Sequence, residues 1–507
     1  MAEAAVRIAA NVDARNAYAG LEPRQLWRHF AALNSIPRPS EHEDAARLYV
    51  QKIADETGAT WKTDAAGNIV VQVAAKSGEQ SKNGEAGTTK NAPIVAIQAH
   101  LDMVCEKRPD VQHDFGRDAI RPRRDGDRIF ASGTTLGADN GIGAAAALAI
   151  LTEPKVCHGP LDLIFTVQEE TGLHGAMALD GALIRASFLI NLDSEDPLEL
   201  TIGCAGGAET LLHLPLETAA SPAAWRGCEI RVSGLQGGHS GVQIHEPLAN
   251  ATKLLIEVLQ AATDAAPFQL ASIEGGSAHN VIPRDAQAVL LIAPQSFAAL
   301  ETAVDATRET LQGRWLRDEP DLAIEMRSVA TPKRVFSPQT QESVLRLLAA
   351  LPHGVVKMSE KFAGKVQTSN NLAKVSTRDE EILIETSSRS FVNAELRELQ
   401  GAIAKLGIQN GARIEALDGY PGWEPDADSR LLEVAREAYQ TVYHRAPQVE
   451  VVHAGLECGV LIARKPGMQA ISFGPLIRGA HSPDEHVFIS TVEPTWKLLA
   501  TLLAAMS

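Results

Sequence analysis

The sequence predicts an α/β protein with a largely parallel central sheet, completed by the chain's own C-terminal end, and an inserted α+β domain of ferredoxin-like character. Three observations carry this reading. Between Ile94 and Asp193 short apolar strands alternate with helices, the pattern of a parallel sheet. After Gly203-Cys-Ala-Gly-Gly207 the order changes to strand, helix, two strands, helix, strand. Past Tyr420-Pro-Gly-Trp423 the earlier alternation returns and brings His481 with it. The expected division is a first domain made of residues 1–206 and 419–507, with residues 207–418 inserted in it.

Taken in order, residues 1–20 read as a polar, alanine-rich tail, and Pro23 to Leu33 has apolar residues at helical spacing. Ser40, with Glu43 three places on, predicts a capping box at the start of a second helix. Val70–Val73 and Ile94–Ile97 read as strands separated by a polar excursion, residues 75–92. Asp139-Asn140-Gly141 is a turn that leads into the alanine-rich helix Ala144–Leu151. Leu161–Val167 and Phe188–Leu192 continue the sheet.

In the inserted domain, strands are expected at Cys228–Val232, Phe268–Ile273, Ala286–Ile292 and Leu322–Met326, with helices at Leu248–Ala262 and Phe297–Leu311. A second set follows: helix 339–350, strands 368–375 and 381–387, helix 394–406 and strand 412–417. It suggests a related subdomain without a residue-level repeat. Helix Leu431–Tyr443, strands Val449–Val452 and Ala470–Phe473, and helix Val492–Ala505 complete the first domain.

The whole-chain numbers exclude several classes. With 507 residues there is ample chain for large cores, and 45% hydrophobic with 22% charged residues is an ordinary globular composition. A formal charge of −16 argues against nucleic acid or an anionic membrane as the main partner. Five scattered cysteines form no CxxC pair, so neither a disulfide framework nor a cysteine zinc site is indicated. No apolar run approaches the ~18 residues of a membrane span, and the N-terminus does not read as a signal peptide. The expected location is cytoplasmic.

Chemistry concentrates in five short segments: His100-Leu-Asp102, Asp139, Glu169-Glu170, Asp193 and His481. Each alone reads as a core histidine, a turn or a solvated loop. Together they matter because His100, Glu169, Glu170 and Asp193 all stand within three residues of an expected strand end. In parallel sheets those carboxyl ends carry the site. Two histidines with several carboxylates form the ligand inventory of a two-metal site with ions about 3.5–4 Å apart. Adjacent Glu169 and Glu170 would repel each other unless a cation holds one of them.

Gln98-Ala-His100-Leu-Asp102-Met-Val, Gly133-Thr-Thr-Leu-Gly-Ala-Asp139-Asn140-Gly-Ile-Gly, Gly203-Cys-Ala-Gly-Gly, Gly237-Gly-His239-Ser-Gly, His453-Ala-Gly455-Leu-Glu-Cys-Gly and His481-Ser-Pro-Asp-Glu resemble one family's signatures. It is the cocatalytic dizinc exopeptidases and deacylases, which include carnosinase, peptidase T and acetylornithine deacetylase, and most of all the aminoacyl-histidine dipeptidases among them. The resemblance runs from about Leu26 to the C-terminus. It implies a zinc-exopeptidase-like catalytic domain, with the inserted domain as a lid.

By the same resemblance His100 and Asp193 would bind one ion, Glu170 and His481 the other, and Asp139 both. Asp102 would fix the His100 tautomer, and Glu169 would be the general base. A cis peptide is implied between Asp139 and Asn140. His239 would donate to the oxyanion, while Asn280, Arg389 and Gly455 would hold the substrate. The cofactors implied are two divalent ions, zinc first, with manganese or cobalt able to substitute. The reaction implied is hydrolysis of unblocked dipeptides, Xaa-His and β-alanyl-histidine among them, by a homodimer. A deacylase of N-acyl amino acids or a tripeptidase is the alternative.

Overall fold

A computed structural model describes residues 17–76 and 92–507. Most of the N-terminal tail and of the polar excursion at residues 75–92 therefore lies outside the described residues. The chain divides into two compact units. The first holds residues 1–204, 423–451 and 456–507, and the second residues 205–422 and 452–455.

The first unit is built on an eight-stranded sheet. Its order is Thr60–Thr63, Ile69–Val73, Leu161–Thr166, Val95–His100, Phe188–Asn191, Gln469–Ser472, Glu199–Cys204 and Gln448–Val452. The four strands from Leu161–Thr166 to Gln469–Ser472 run parallel. Val95–His100 and Leu161–Thr166 are buried along their whole length, which is why they read as continuous apolar runs. The helix spanning Ala138–Thr152 is buried from Asn140 through Ile150. Asp139 and Asn140 lie outside helical φ/ψ, and the peptide between them is cis. Small alanine side chains let this helix pack closely on the sheet. The helix Arg24–Asn34 packs beside it through Leu26, Trp27, Phe30 and Leu33, with Tyr18 stacked on Trp27 at 5.6 Å.

The expected capping box at Ser40 does not form. The helix there starts at Asp44, and its N-cap position, Glu43, makes no side-chain capping bond. Ser40 donates instead to Asp102 Oδ2 at 2.7 Å, and Glu43 accepts from the amides of Glu41 and Gln168. Both residues serve the strand ends, which outcompete the helix for their side chains.

The second unit carries a nine-stranded sheet that resolves into two halves. In the first half the strands Arg226–Ser233, Phe268–Gly275, Ala286–Ile292 and Ala323–Val329 are arranged four-one-three-two. Helices Ala251–Ala265 and Phe297–Trp315 fill the two crossovers. This is the expected β-α-β-β-α-β unit. The second half has the same order from Gly206–Pro215, Val366–Thr377, Glu381–Ser390 and Arg413–Ala416, with helices Pro338–Ala350 and Asn393–Gln409. Its first strand precedes the whole first half, which explains why the sequence showed the second set without an opening strand. The halves meet at one register pair, Gly275 with Val375.

One helix starts later than its apolar pattern suggests. It begins at Ala251 because the Asn250 side chain accepts from the amides of Thr252 and Lys253, a stronger start signal than Leu248. Among the described residues no helix is long and apolar enough to cross a membrane.

Candidate metal centre and catalytic site

The parallel strands deliver their chemistry at their carboxyl ends. His100 is the last residue of its strand, Glu169 and Glu170 follow Thr166, and Asp193 follows Asn191. Asp139 enters from the turn before the alanine-rich helix, and His481 from a loop where its φ is +62°. The structure brings all six together. Asp139 Oδ1 lies 3.2 Å from His100 Nε2, and its other oxygen lies 3.3 Å from His481 Nε2. Asp193 Oδ1 is 3.5 Å from His100 Nε2, and Glu170 Oε2 is 3.0 Å from His481 Nε2. Glu169 stands further off, 3.9 Å from His100 Nε2.

Three donor groups have atoms within 4.8 Å of one another: His100 with Asp139 and Asp193, Asp139 with Glu170 and His481, and His100 with Glu169 and Glu170. Two of them share Asp139, one through each histidine.

Asp102 faces the other ring nitrogen. Its carboxylate lies 3.3 Å from His100 Nδ1, and a proton held there would leave the lone pair of Nε2 facing the other carboxylates. A bare nitrogen lone pair facing Asp139 and Asp193 is repulsive unless a cation stands between them. The titration of the group shows the same demand for positive charge, here answered by a proton on the ring. Burial lowers the His100 basicity, but Asp193, Asp102 and Asp139 more than offset it and hold the imidazole well above its usual range. Hydrogen bonds to Asp139 and Glu170 push His481 up to about 11. Burial raises Glu169 and Asp193, and Asp139 is held low by the two histidines although burial opposes this. Glu170 keeps one buried oxygen, Oε1, without a hydrogen-bond partner. Oxygen and imidazole donors in excess negative charge fit a divalent cation.

The family assignment follows from comparison. The family described as peptidase family M20/M25/M40 matches residues 96–505. The chain belongs to the M20/M25/M40 peptidases. It is 40% identical over 483 residues to the cytosol non-specific dipeptidase of Escherichia coli, covering 95% of this chain and 98% of that relative. The aminoacylhistidine dipeptidase from Vibrio alginolyticus is 36% identical with a TM-score of 0.87, over 96% of this chain and 97% of that one. Aminopeptidase PepT from Bacillus cereus shares the fold at 16% identity, with a TM-score of 0.54 and coverage of 96% and 99%. As an M20 peptidase the protein is a hydrolase, and the expected mixed, largely parallel α/β architecture is the one found.

Several supporting groups of this M20 site escaped the sequence reading. Glu485 accepts the four successive amides of residues 136–139 at 2.7–3.1 Å, and so clamps the turn that presents Asp139. Arg38, 1% exposed, donates to the carbonyls of Leu101, Asp102 and Gly137, tying the His100 strand end to the same turn. Gly137 and Gly141 leave no room for a Cβ beside that guanidinium. Asp102 also accepts the amides of Glu169 and Glu170 at 3.1 Å, so one carboxylate orients three site residues. Below them Glu457, pushed up to about 8 by burial, accepts from Gln98 and from Thr166. Glu485 was visible only as the end of His481-Ser-Pro-Asp-Glu, and Arg38 carried no signal at all.

The other candidates belong to the second unit. His239 Nδ1 accepts the amides of Gly241 and Val242, both at 3.2 Å, which leaves its ring proton on Nε2 as a donor. Asn280 is adjacent: its carbonyl accepts from the Ser240 amide, and the Asn371 side chain donates to the carbonyls on either side of it. Arg389 was expected just past a strand, but the strand runs to Ser390, so Arg389 is inside it and 7% exposed. Gly455 faces the Tyr420 ring.

Proposed function

We propose that the protein is a metallo-dipeptidase that hydrolyses unblocked dipeptides, Xaa-His and β-alanyl-histidine among them, with two divalent ions, zinc first. The observation that carries this is Asp139, with one carboxylate oxygen toward each histidine and a further carboxylate beside each. His100 and Asp193 would hold one ion, Glu170 and His481 the other, and Asp139 both. The names of the relatives, a non-specific dipeptidase and an aminoacylhistidine dipeptidase, support the substrate class. Zinc, manganese or cobalt bound there would polarise the scissile carbonyl and lower the pKa of a water from 15.7 toward about 7.

The chain's own residues do the rest. Glu169 stands furthest from the histidine nitrogens and is made more basic by burial, which suits a general base. It would take a proton from the attacking water and return it to the leaving amine. Asp102 would keep Nδ1 of His100 protonated throughout. His239 would donate its Nε2 proton to the carbonyl oxygen as negative charge develops. Arg389 would grip the substrate's C-terminal carboxylate bidentately, and Asn280 and Gly455 would hold its remaining polar atoms. A cytoplasmic homodimer, with the second unit acting as a lid, completes the reading.

The test is a panel of dipeptides, tripeptides, amidated dipeptides and N-acyl amino acids, assayed after chelation and again after adding zinc, manganese or cobalt. Turnover should vanish on chelation, return with about two ions per chain, and favour dipeptides. Full activity with no metal would refute the mechanism, and preference for acyl amino acids would make the protein a deacylase.

A further inference from the structure

Arg389 is a buried cation with too few partners. Its Nη1 donates to Tyr420 Oη at 2.9 Å, its Nε has no hydrogen-bond partner, and no described carboxylate forms an ion pair with it. A guanidinium so far out of water is costly unless an anion reaches it. The neighbouring imidazole offers it no negative charge: burial and then Arg389 itself push His453 down to about 3, so that ring is neutral. His453 itself shares a 2.8 Å hydrogen bond with Ser369 Oγ.

What aims the guanidinium is readable in the sheet register. Arg389 pairs directly with Gly207 across the antiparallel ladder. Gly207 in turn exchanges both backbone hydrogen bonds with Tyr420, at 3.1 and 3.0 Å. Residues directly opposite one another share a face, so Arg389, Gly207 and Tyr420 stand in one row. A side chain in the middle of that row would separate the outer two. A Cβ at Gly207 would lie 2.7 Å from both Cζ and Oη of Tyr420. The other side of the ring is as close: a Cβ at Gly455 would lie 2.7 Å from Cε2. Gly207 has no positive φ, so space and not backbone strain is what excludes a side chain there.

We propose that Tyr420 is a positioning residue for Arg389: it leans across Gly207, between two glycines, and holds the guanidinium in the orientation that receives the substrate carboxylate. This rests on the reading of Arg389 as the carboxylate clamp and extends it to the residue that aims it. It also gives Gly207, the last glycine of Gly203-Cys-Ala-Gly-Gly207, and Gly455 a physical reason.

The test is Y420F in the full chain with metals loaded, using a dipeptide and its C-terminal amide. Removing the hydroxyl should raise KM for the dipeptide about tenfold, with kcat within about twofold and the amide hardly affected. G207A should shift KM in the same direction by displacing the ring. In an R389A background Y420F should add nothing. A Y420F enzyme with unchanged KM, or one equally impaired on acid and amide, overturns the proposal while R389A still collapses the acid-to-amide preference. If R389A leaves that preference intact, the clamp itself is wrong and Tyr420 falls with it.

Discussion

The candidate residues of the two units differ in charge. In the first, Asp139, Glu169, Glu170 and Asp193 crowd two histidines, with Glu195 pushed up to about 8 by burial and then by the nearby Asp139 and Asp193. In the second, the strand ends near Arg389 are lined with neutral polar groups. Ser369, Asn370, Asn371, Ser387, Ser388 and Ser390 are all buried, and Arg389 is the cation among them. Ser388 donates to Asn370 Oδ1 at 2.8 Å, the Asn370 and Asn371 amides donate to backbone carbonyls, and Ser369 bonds to His453. A cluster of anions asks for a cation, and a lone buried cation asks for an anion. The contrast predicts that damage to the first unit should appear as lost metal or lost turnover. Damage to the second should appear as lost recognition of substrate charge.

The sharpest way to break that division is inside the first unit, where two adjacent carboxylates are assigned different work. Glu169→Gln should lower turnover about 10²–10⁴-fold, the usual contribution of a general base, with metal content unchanged. Glu170→Gln should lose metal as well as turnover, because Glu170 reaches His481 at 3.0 Å and shares its donor group. Metal analysis beside kcat decides it, and equal metal loss in both variants would erase the distinction.

In the second unit the corresponding test is Arg389→Ala. Removing one partner of a buried charge pair costs about 2–5 kcal/mol, so kcat/KM for a dipeptide should fall about 30-fold or more. Amidating the dipeptide should cost the wild type a similar factor and the variant very little, with metal content untouched. If amidation hurts both enzymes equally, the second unit does not read the carboxylate.

A smaller effect should come from Asp102, which serves the metal side without belonging to a donor group. It is 0% exposed and held down at about 2: burial opposes ionisation, but hydrogen bonding from His100 and Ser40 outweighs it. Asp102→Asn should weaken metal affinity about 10–100-fold, as loss of such an orienting partner does. Equilibrium dialysis against a metal buffer would measure it, and unchanged affinity would show that the tautomer is fixed some other way.

How much of this the sequence carried depends on distance along the chain. His100, Glu169 and Asp193 were readable because each ends its own strand or follows it within three residues, and only a few residue types bind metal. The opening strand of the second half, Gly206–Pro215, was missed because its partner strand begins at Glu381 and no local pattern links them. Ser40 misled for the opposite reason. A local rule made it a cap, while a residue 62 positions away claimed its hydroxyl. Arg38 could not be foreseen at all, since a single arginine after Pro37 carries no sign that three distant carbonyls will surround it. Groups fixed by their own strand are legible, and groups fixed by another segment's backbone are not.

The mildest test separates charge that serves the site from polarity that only serves the fold. His29 and His100 are both buried in the first unit, yet they shift in opposite directions. His100 is raised by its carboxylates, whereas His29, 2% exposed, is lowered to about 4 by burial and then by Arg28. Its two nitrogens meet neutral hydroxyls, Tyr49 at 2.7 Å and Thr152 at 2.9 Å. An unfolded chain would bind a proton at His29 near pH 6.5, and the folded one only near pH 4. Between those values the unfolded state holds more protons, so stability rises with pH across that window and is lost as pH falls through it. From pH 7.5 to 5 the loss from this one residue should be about 2 kcal/mol. His29→Gln cannot titrate, so its urea-unfolding free energy should fall less than the wild type's by about that amount. Metal release on acidification affects both proteins alike and cancels in the difference. If the two proteins lose the same stability, His29 is protonated in the fold, and the separation between site charge and scaffold polarity fails within this unit.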